Sequence, residues 1–470
     1  MSSARGRPLV IKFGALALEE PDRVVSRVAT EYRAGHRPIV VVSARRGVTD
    51  ALLDLMDGPA DSERVGPILR RIALQHQPST AAVEERLGRL RSALAELRPG
   101  HELSRRRAGA ILSEGERLAA RWLASRLRRA GLRAVPFDAD RLGLLIAERG
   151  GGAHVLVESS KLTAPETLGA VVARGQIPVV TGFFGADPRG GVTTLTRGGS
   201  DSTAVAVAAL MEAREVVLVK GSGPVRMADP AIVPTAPVLG RLGYSDALVL
   251  ALAGAKVLHP EAVELARTRH ITLRVGSVQP EAPETRVGPD RGTPPFRAVA
   301  VRDEGMIRAP ARSPRSPPLP MATWSGLSGA ALVGRRPTRR PAGVGGATLA
   351  GSGRIVGAAA SSAPDPPRDV SILTWCGPRE AGVALGRDVV AAVRLPREVA
   401  RRGWGAVAIP RELGQDAVRE IYRRLVQPSS IATASKDRTG RVAPPLSTEG
   451  RYLPRSPGTR SPAQWGTIAT

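Results

Sequence analysis

Over residues 8–282 the chain alternates short β-branched runs with longer helical patterns, and few folds accept that alternation. PLVIKFG (residues 8–14) reads as a strand closed by a glycine, followed by a helix through EEPDRVVSRVATEYRAG. RPIVVVSA (37–44) is apolar at successive positions, as a strand buried on both faces must be. RAVPFDA, AHVLVES, IPVVTGFFG and EVVLVKG supply further strands. Between them, residues 63–98 are charged and periodic, hence helical, and ILSEGERLAARWLASRLRRAG predicts an amphipathic helix closed by Gly131. YSDALVLALAGAKVLHP predicts a buried helix stopped by Pro260. The pattern is that of an α/β domain with a largely parallel sheet, in which ligands bind beyond the carboxyl ends of the strands. Those strand ends are where glycine and polar residues collect.

Composition narrows the function classes. The 470 residues allow a sizeable core and roughly two to four domains. A single cysteine, Cys376, excludes an internal disulfide framework, and the six histidines show no ligand spacing, so no metal site is expected. No signal-peptide pattern opens the chain, and its most apolar long segment, 247–258, falls short of a membrane span, so a cytoplasmic protein with no membrane partner is expected. Of the net charge of +25, residues 291–470 carry +16, from 28 Lys/Arg against 12 Asp/Glu. The excess is nearly all arginine and lacks interleaved aromatics, so nucleic acid is not the expected partner.

The chain has only five lysines, at positions 12, 161, 220, 256 and 436. An ammonium is a compact point charge suited to places where a guanidinium fork does not fit, so each asks for a reason. TLTRGGSDSTAVAVAAL (194–210) sets Arg197, Gly198, Gly199, Ser200 and Asp201 before a run that must be buried. A Gly-Gly turn feeding a helix offers backbone N–H groups at the positive end of the dipole, which favours an anion. The plainer alternative is a glycine turn with Ser200 as N-cap.

Four strand-end stretches, VIKFG, VVVSARRGVTD, LSEGERL and TRGGSD, with ADPAIVP and GAKVLHP after them, resemble in this order the aspartate kinases of the amino acid kinase family. The resemblance covers residues 8–282. It implies an amino acid kinase-like three-layer α/β/α sandwich with a largely parallel central sheet. It also implies transfer of the ATP γ-phosphate to the side-chain carboxylate of aspartate, the first step toward lysine, threonine and methionine. Its cofactors would be ATP and Mg2+ carried with ATP, its partners aspartate, ATP and further copies of itself. Lys12 and Asp201 then match catalytic positions, and Ser43, Thr49, Glu116 and Arg197 the aspartate-binding ones. Lys12, Phe13, Gly14, Gly198, Gly199, Ser200, Lys220, Gly221, Arg226 and Lys256 match the nucleotide side. Read without the family, Glu116 with Arg117 could be a helix-surface charge pair, Thr49 a helix cap, and Lys256 a snorkelling lysine on an apolar helix.

The departures concentrate on the nucleotide side. The family's Lys-Phe-Gly-Gly-Thr-Ser is here KFGALA, which removes a glycine and two hydroxyls. Arg46 stands where a small residue is usual, Gly221 where an acid is expected, Arg226 in place of an aromatic and Ala231 in place of an arginine. An impaired homologue that binds aspartate or nucleotide is therefore the alternative. Beyond the kinase-like domain, residues 283–368 are expected as a low-complexity linker or degenerate first ACT module, 369–427 as a partial ACT-like α+β module, and 428–470 as a disordered tail. FRAVAVRDEGM resembles the first strand of such a pair of modules, and AVAIPRELGQDAVREIYRRLV the last strand and helix.

Overall fold

The computed structural model describes residues 6–56, 62–96, 104–149, 152–162, 164–196, 198–255, 257–290, 298–307, 354–357, 368–376, 391–394 and 404–426. An eight-stranded sheet forms its centre. Its strands are β1 (Pro8–Phe13), β2 (Arg37–Val42), β3 (Ala134–Phe137), β6 (Ile177–Thr181), β9 (Glu215–Val219), β10 (Arg241–Gly243), β11 (Thr272–Gly276) and β12 (Thr285–Gly288). Their spatial order is β10-β12-β11-β9-β1-β2-β6-β3, parallel throughout except where β11 meets β12.

Alternation along the strands builds two cores. Val10, Ile39, Val41, Val216 and Leu218 face one side, and Leu9, Ile11, Phe13, Val40, Val42, Val217 and Val219 the other. The first side packs against α7 (Ala164–Ala173), α8 (Gly199–Leu210), α9 (Tyr244–Leu252) and α10 (Pro260–Thr268). The second packs against α1 (Pro21–Arg33), α2 (Val48–Met56), α3 (Ser62–Gln75), α4 (Ala81–Ala95) and α6 (Glu114–Arg129). This is the three-layer sandwich expected. A short α5 (Arg105–Leu112) precedes α6.

Four local expectations are corrected. Residues 63–98 form two helices, α3 and α4, with Pro78 between them and Thr80 capping the second. The helix read from residue 111 breaks at Ser113, so that α6 starts with two glutamates in its first turn. AHVLVES contributes only β5 (Gly152–Val155), which pairs with β4 (Ile146–Arg149) in a hairpin outside the central sheet. A second hairpin joins β7 (Phe184–Ala186) to β8 (Val192–Thr194). The helix read over 244–260 ends at Leu252, because Gly254 turns left-handed (φ 100°), and Pro260 opens α10 instead of closing α9.

A second sheet, five-stranded and antiparallel, runs β13-β15-β17-β16-β14, from β13 (Ala298–Ile307), β14 (Arg354–Gly357), β15 (Arg368–Cys376), β16 (Ala391–Arg394) and β17 (Trp404–Pro410). Helix α11 (Gly414–Val426) follows it. Strands from both sides of residue 368 share this one sheet, and β14 arises inside a stretch read as low complexity, where Ile355-Val356 supplies local strand propensity. Val299, Leu373, Trp375, Val418, Ile421 and Leu425 pack with Ala228, Val233 and Ala236 of the loop between β9 and β10, and the Val299 N–H donates to the Met227 carbonyl at 2.7 Å. The expected tail, 428–470, lies outside the described residues.

Candidate functional site

Register places two ammoniums together. Lys12 sits opposite Leu218 in the parallel β1/β9 pair, and strand alternation sends Lys12 toward the same side as Val10, where α8 packs. Lys220, two residues beyond Leu218, follows the same alternation. Both reach Asp201 in the first turn of α8: Lys12 Nζ lies 2.9 Å from Asp201 Oδ1, and Lys220 Nζ donates to Asp201 Oδ2. Asp201 has no exposed surface, and Lys12 retains only 5%. Burial alone would raise the Asp201 carboxyl, but the two ammoniums override it and hold the group well below the usual carboxylate range. Burial and the neighbouring Lys12 lower Lys220, against the pull of Asp201. The result is a dehydrated cluster with an excess of one positive charge at the carboxyl ends of β1 and β9.

Glu116 closes the other side. It lies in the first turn of α6, where Gly115 lets the helix approach the loop after β2: a Cβ there would stand 2.9 Å from that of Ala44. Glu116 Oε1 accepts the Ala44 N–H at 2.9 Å, while Oε2 is buried without a hydrogen-bond partner among the described residues. Burial pushes the carboxyl up to about 8, against the Ala44 hydrogen bond and Lys12. A buried carboxylate oxygen with nothing to accept from is set up to receive a donor from a ligand. The surface-pair alternative fails, since Glu116 is 3% and Arg117 5% exposed.

The remaining expected residues divide. Ser43 donates its N–H to the Phe13 carbonyl at 3.2 Å, tying the ends of β1 and β2 together, and Thr49 lies half-buried inside the first turn of α2, past the capping position. The Phe13 side chain belongs to the core, so only its backbone faces the strand-end region, where Gly14 follows. Gly198 is the N-cap of α8 in a left-handed conformation (φ 91°), and a Cβ on it would meet the His259 ring. Ser200 is inside the helix, which corrects the reading of it as N-cap; it is buried with Gly199. Gly221 is exposed beside Leu16, one of the residues that replace the expected hydroxyls. Arg226 donates to the Ala236 carbonyl of its own loop at 2.7 Å. Arg197 and Lys256 lie outside the described residues.

Sequence reasoning missed a second buried charge cluster. Arg117 reaches Asp138 at 2.5 Å and Asp140 at 2.8 Å just beyond β3, with its guanidinium over the Phe184 ring, and Arg121 joins Asp138 at 2.7 Å. The stretch FDAD at a strand's carboxyl end was the available signal. Among the described residues no three His, Cys, Asp or Glu side chains converge as a metal site, and no helix is long and apolar enough to cross a membrane.

A profile of the Amino acid kinase family matches residues 7–277. An aspartokinase of Thermus thermophilus is 31% identical over 272 residues, covering 57% of this chain and 56% of that protein. One of Corynebacterium glutamicum is 30% identical over 283 residues, covering 59% and 56%. The chain thus spans about half the length of the curated relatives it matches. Among solved structures, E. coli aspartokinase III in complex with aspartate and ADP superposes with a TM-score of 0.69 at 20% identity, over 89% of this chain and all of that one. The same enzyme with lysine and aspartate gives 0.62, also at 20% identity and 89% coverage. At that identity the likeness concerns the fold.

Proposed function

The chain belongs to the amino acid kinase family, and from that premise we propose that it phosphorylates the side-chain carboxylate of aspartate with ATP. The observation that carries the reading is one strand-end site holding the Lys12–Asp201–Lys220 cluster on one side and the open carboxylate oxygen of Glu116 on the other. The acceptor carboxylate is ionised at neutral pH, so no general base is required. Its oxygen attacks the γ-phosphorus, the bond from that phosphorus to the bridging oxygen breaks, and ADP leaves. What the protein supplies is position and positive charge.

Lys12 and Lys220 neutralise charge on the phosphate oxygens in this scheme, and Asp201 holds both ammoniums in place. Glu116 receives the ammonium of the amino acid, with Ser43 on the loop after β2, Thr49 in the first turn of α2 and Arg197 assigned to its α-carboxylate. Gly14, Gly198, Gly199 and Ser200 bring backbone close to the phosphates, and Gly221, Arg226 and Lys256 stay assigned to the nucleotide side. Mg2+ is assigned to ATP: each Asp201 oxygen faces an ammonium, a surrounding that does not fit a protein-held ion. The reading places the protein at the start of lysine, threonine and methionine synthesis, as a homo-oligomer whose mass light scattering would give. The impaired-homologue alternative gains no support from the relatives, which are named as aspartokinases.

The test is ADP release by the full chain with Mg·ATP and aspartate, with glutamate as control. Turnover that depends on aspartate and is lost in Lys12→Ala is expected. Equal release with and without aspartate would remove the assignment.

A further inference from the structure

The loop that carries Ser43 and Ala44 and leads into α2 is pinned by one of its own side chains, Arg45. The Arg45 guanidinium lies 4.3 Å over the Trp122 ring, and Arg126 covers the same ring at 5.0 Å. Arg45 Nη2 lies 3.2 Å from Glu19 Oε1 in the turn after the Lys12 strand, and Nη1 donates to the Gln75 carbonyl at the end of α3. Gln75 returns a hydrogen bond to the Arg46 carbonyl at 3.0 Å, and the Trp122 indole N–H donates to the Gln77 carbonyl at 3.1 Å. The Arg45 side chain keeps 11% of its surface exposed.

Trp122 stands on α6, the helix that presents Glu116. Two adjacent loop residues therefore clamp one helix: the Ala44 N–H on Glu116, and the Arg45 guanidinium on Trp122. A single hydrogen bond to a loop amide would leave that amide free to drift, whereas a stacked guanidinium with two further acceptors fixes the backbone on either side of it. We infer that Arg45 is a positioning residue for the reaction, holding the Ala44 amide against Glu116 and so setting the carboxylate that receives the amino acid's ammonium. The functional meaning rests on the reading under Proposed function; the physical coupling does not.

Two arms separate them. In the full chain with 13C-carboxyl glutamate, NMR follows the Glu116 titration, assigned by its absence in Glu116→Gln. The Ala44 hydrogen bond favours the ionised form, and Lys12 is the charged group acting on it alongside, so loosening the amide in Arg45→Ala shifts the midpoint upward by roughly half a unit to one unit. Arg45→Lys, which keeps a cation near Glu19 without the planar fork, shifts it less and serves the same comparison if the alanine variant does not fold. In the kinetic arm, the KM for aspartate rises of order tenfold while that for ATP stays within about twofold. An unmoved Glu116 midpoint in a folded variant, or equal changes in both KM values, overturns the inference. Absence of turnover in the unaltered protein would defeat the functional reading and leave the titration to decide the coupling.

Discussion

Replacing Asp201 with asparagine tests the lysine cluster most directly. The amide keeps the shape of the carboxylate but leaves Lys12 and Lys220 facing one another without a counter-charge. Breaking a buried pair by removing one partner costs about 3–5 kcal/mol. The part that comes from stranding two ammoniums has a ceiling, because the folded chain can release a proton from one of them. Against an ordinary lysine value of about 10.4, that release costs about 4.6 kcal/mol at about pH 7 and about 1.9 kcal/mol at about pH 9. A loss of about 3–4 kcal/mol at neutral pH follows, or roughly 6–16 °C in Tm for a domain of this size.

The sign of the pH effect is fixed by Lys220. Burial already lowers it in the intact cluster, and Asp201 is the group that raises it. Without Asp201 the folded state holds fewer protons than the unfolded state below the ordinary lysine range. Stability of the variant therefore climbs with pH, and its gap to the parent narrows. Urea denaturation of both proteins near pH 7 and pH 9 measures this, with aspartate-dependent ADP release assayed in parallel. A gap of the same size at both pH values, or one below about 1 kcal/mol at neutral pH, would refute the description of Asp201 as the counter-ion of two buried ammoniums.

Other consequences can be checked separately. Glu116 is raised from 4.5 to about 8, so the folded protein binds more protons than the unfolded one across that window and its stability falls as pH rises through it; Glu116→Gln should flatten that slope in thermal melts. Binding an ammonium at Glu116 requires the ionised form, so near neutral pH aspartate binding should release protons, seen as a calorimetric enthalpy that varies with the buffer and ceases to vary in Glu116→Gln. Gly198→Ala forces a left-handed backbone on a residue with a Cβ and drives that Cβ toward the His259 ring, and should cost about 1–2 kcal/mol in denaturant titrations with a larger loss of turnover. Trp375→Ala removes a large side chain that is 5% exposed in the apolar cluster under the second sheet, and should cost about 3–5 kcal/mol, with faster hydrogen exchange at the Val299 N–H.

The central sheet was legible because its strands are apolar at consecutive positions and end in glycine or polar residues; PLVIKFG and EVVLVKG announce both the strand and the end at which Lys12 and Lys220 meet Asp201. Lys12, Asp201 and Glu116 were singled out by the resemblance to the aspartate kinases, as positions that match that family's motifs; read alone, Glu116 was equally a surface charge pair. What the sequence withheld is partnership. Nothing local marks Arg27 on α1 as the partner of Glu284, 2.7 Å away and 257 positions along the chain, or Arg45 as the partner of Trp122. Periodicity reports which face of an element is buried, and the identity of the neighbour depends on how layers stack. The second sheet illustrates the same limit: Ala298 pairs with Cys376 and Ala391 with Ala408, registers set by contacts between segments that no short-range pattern relates.

The cluster joining Val233 and Ala236 to Leu373, Trp375 and Ile421 makes the small sheet a retaining wall for the segment that follows Lys220. Excising everything past residue 290 to obtain a smaller fragment would strip that wall and bare an oily strip on the segment that follows Lys220. Such a fragment would need polar replacements at Ile232 and Val233 before its behaviour could speak for the whole chain.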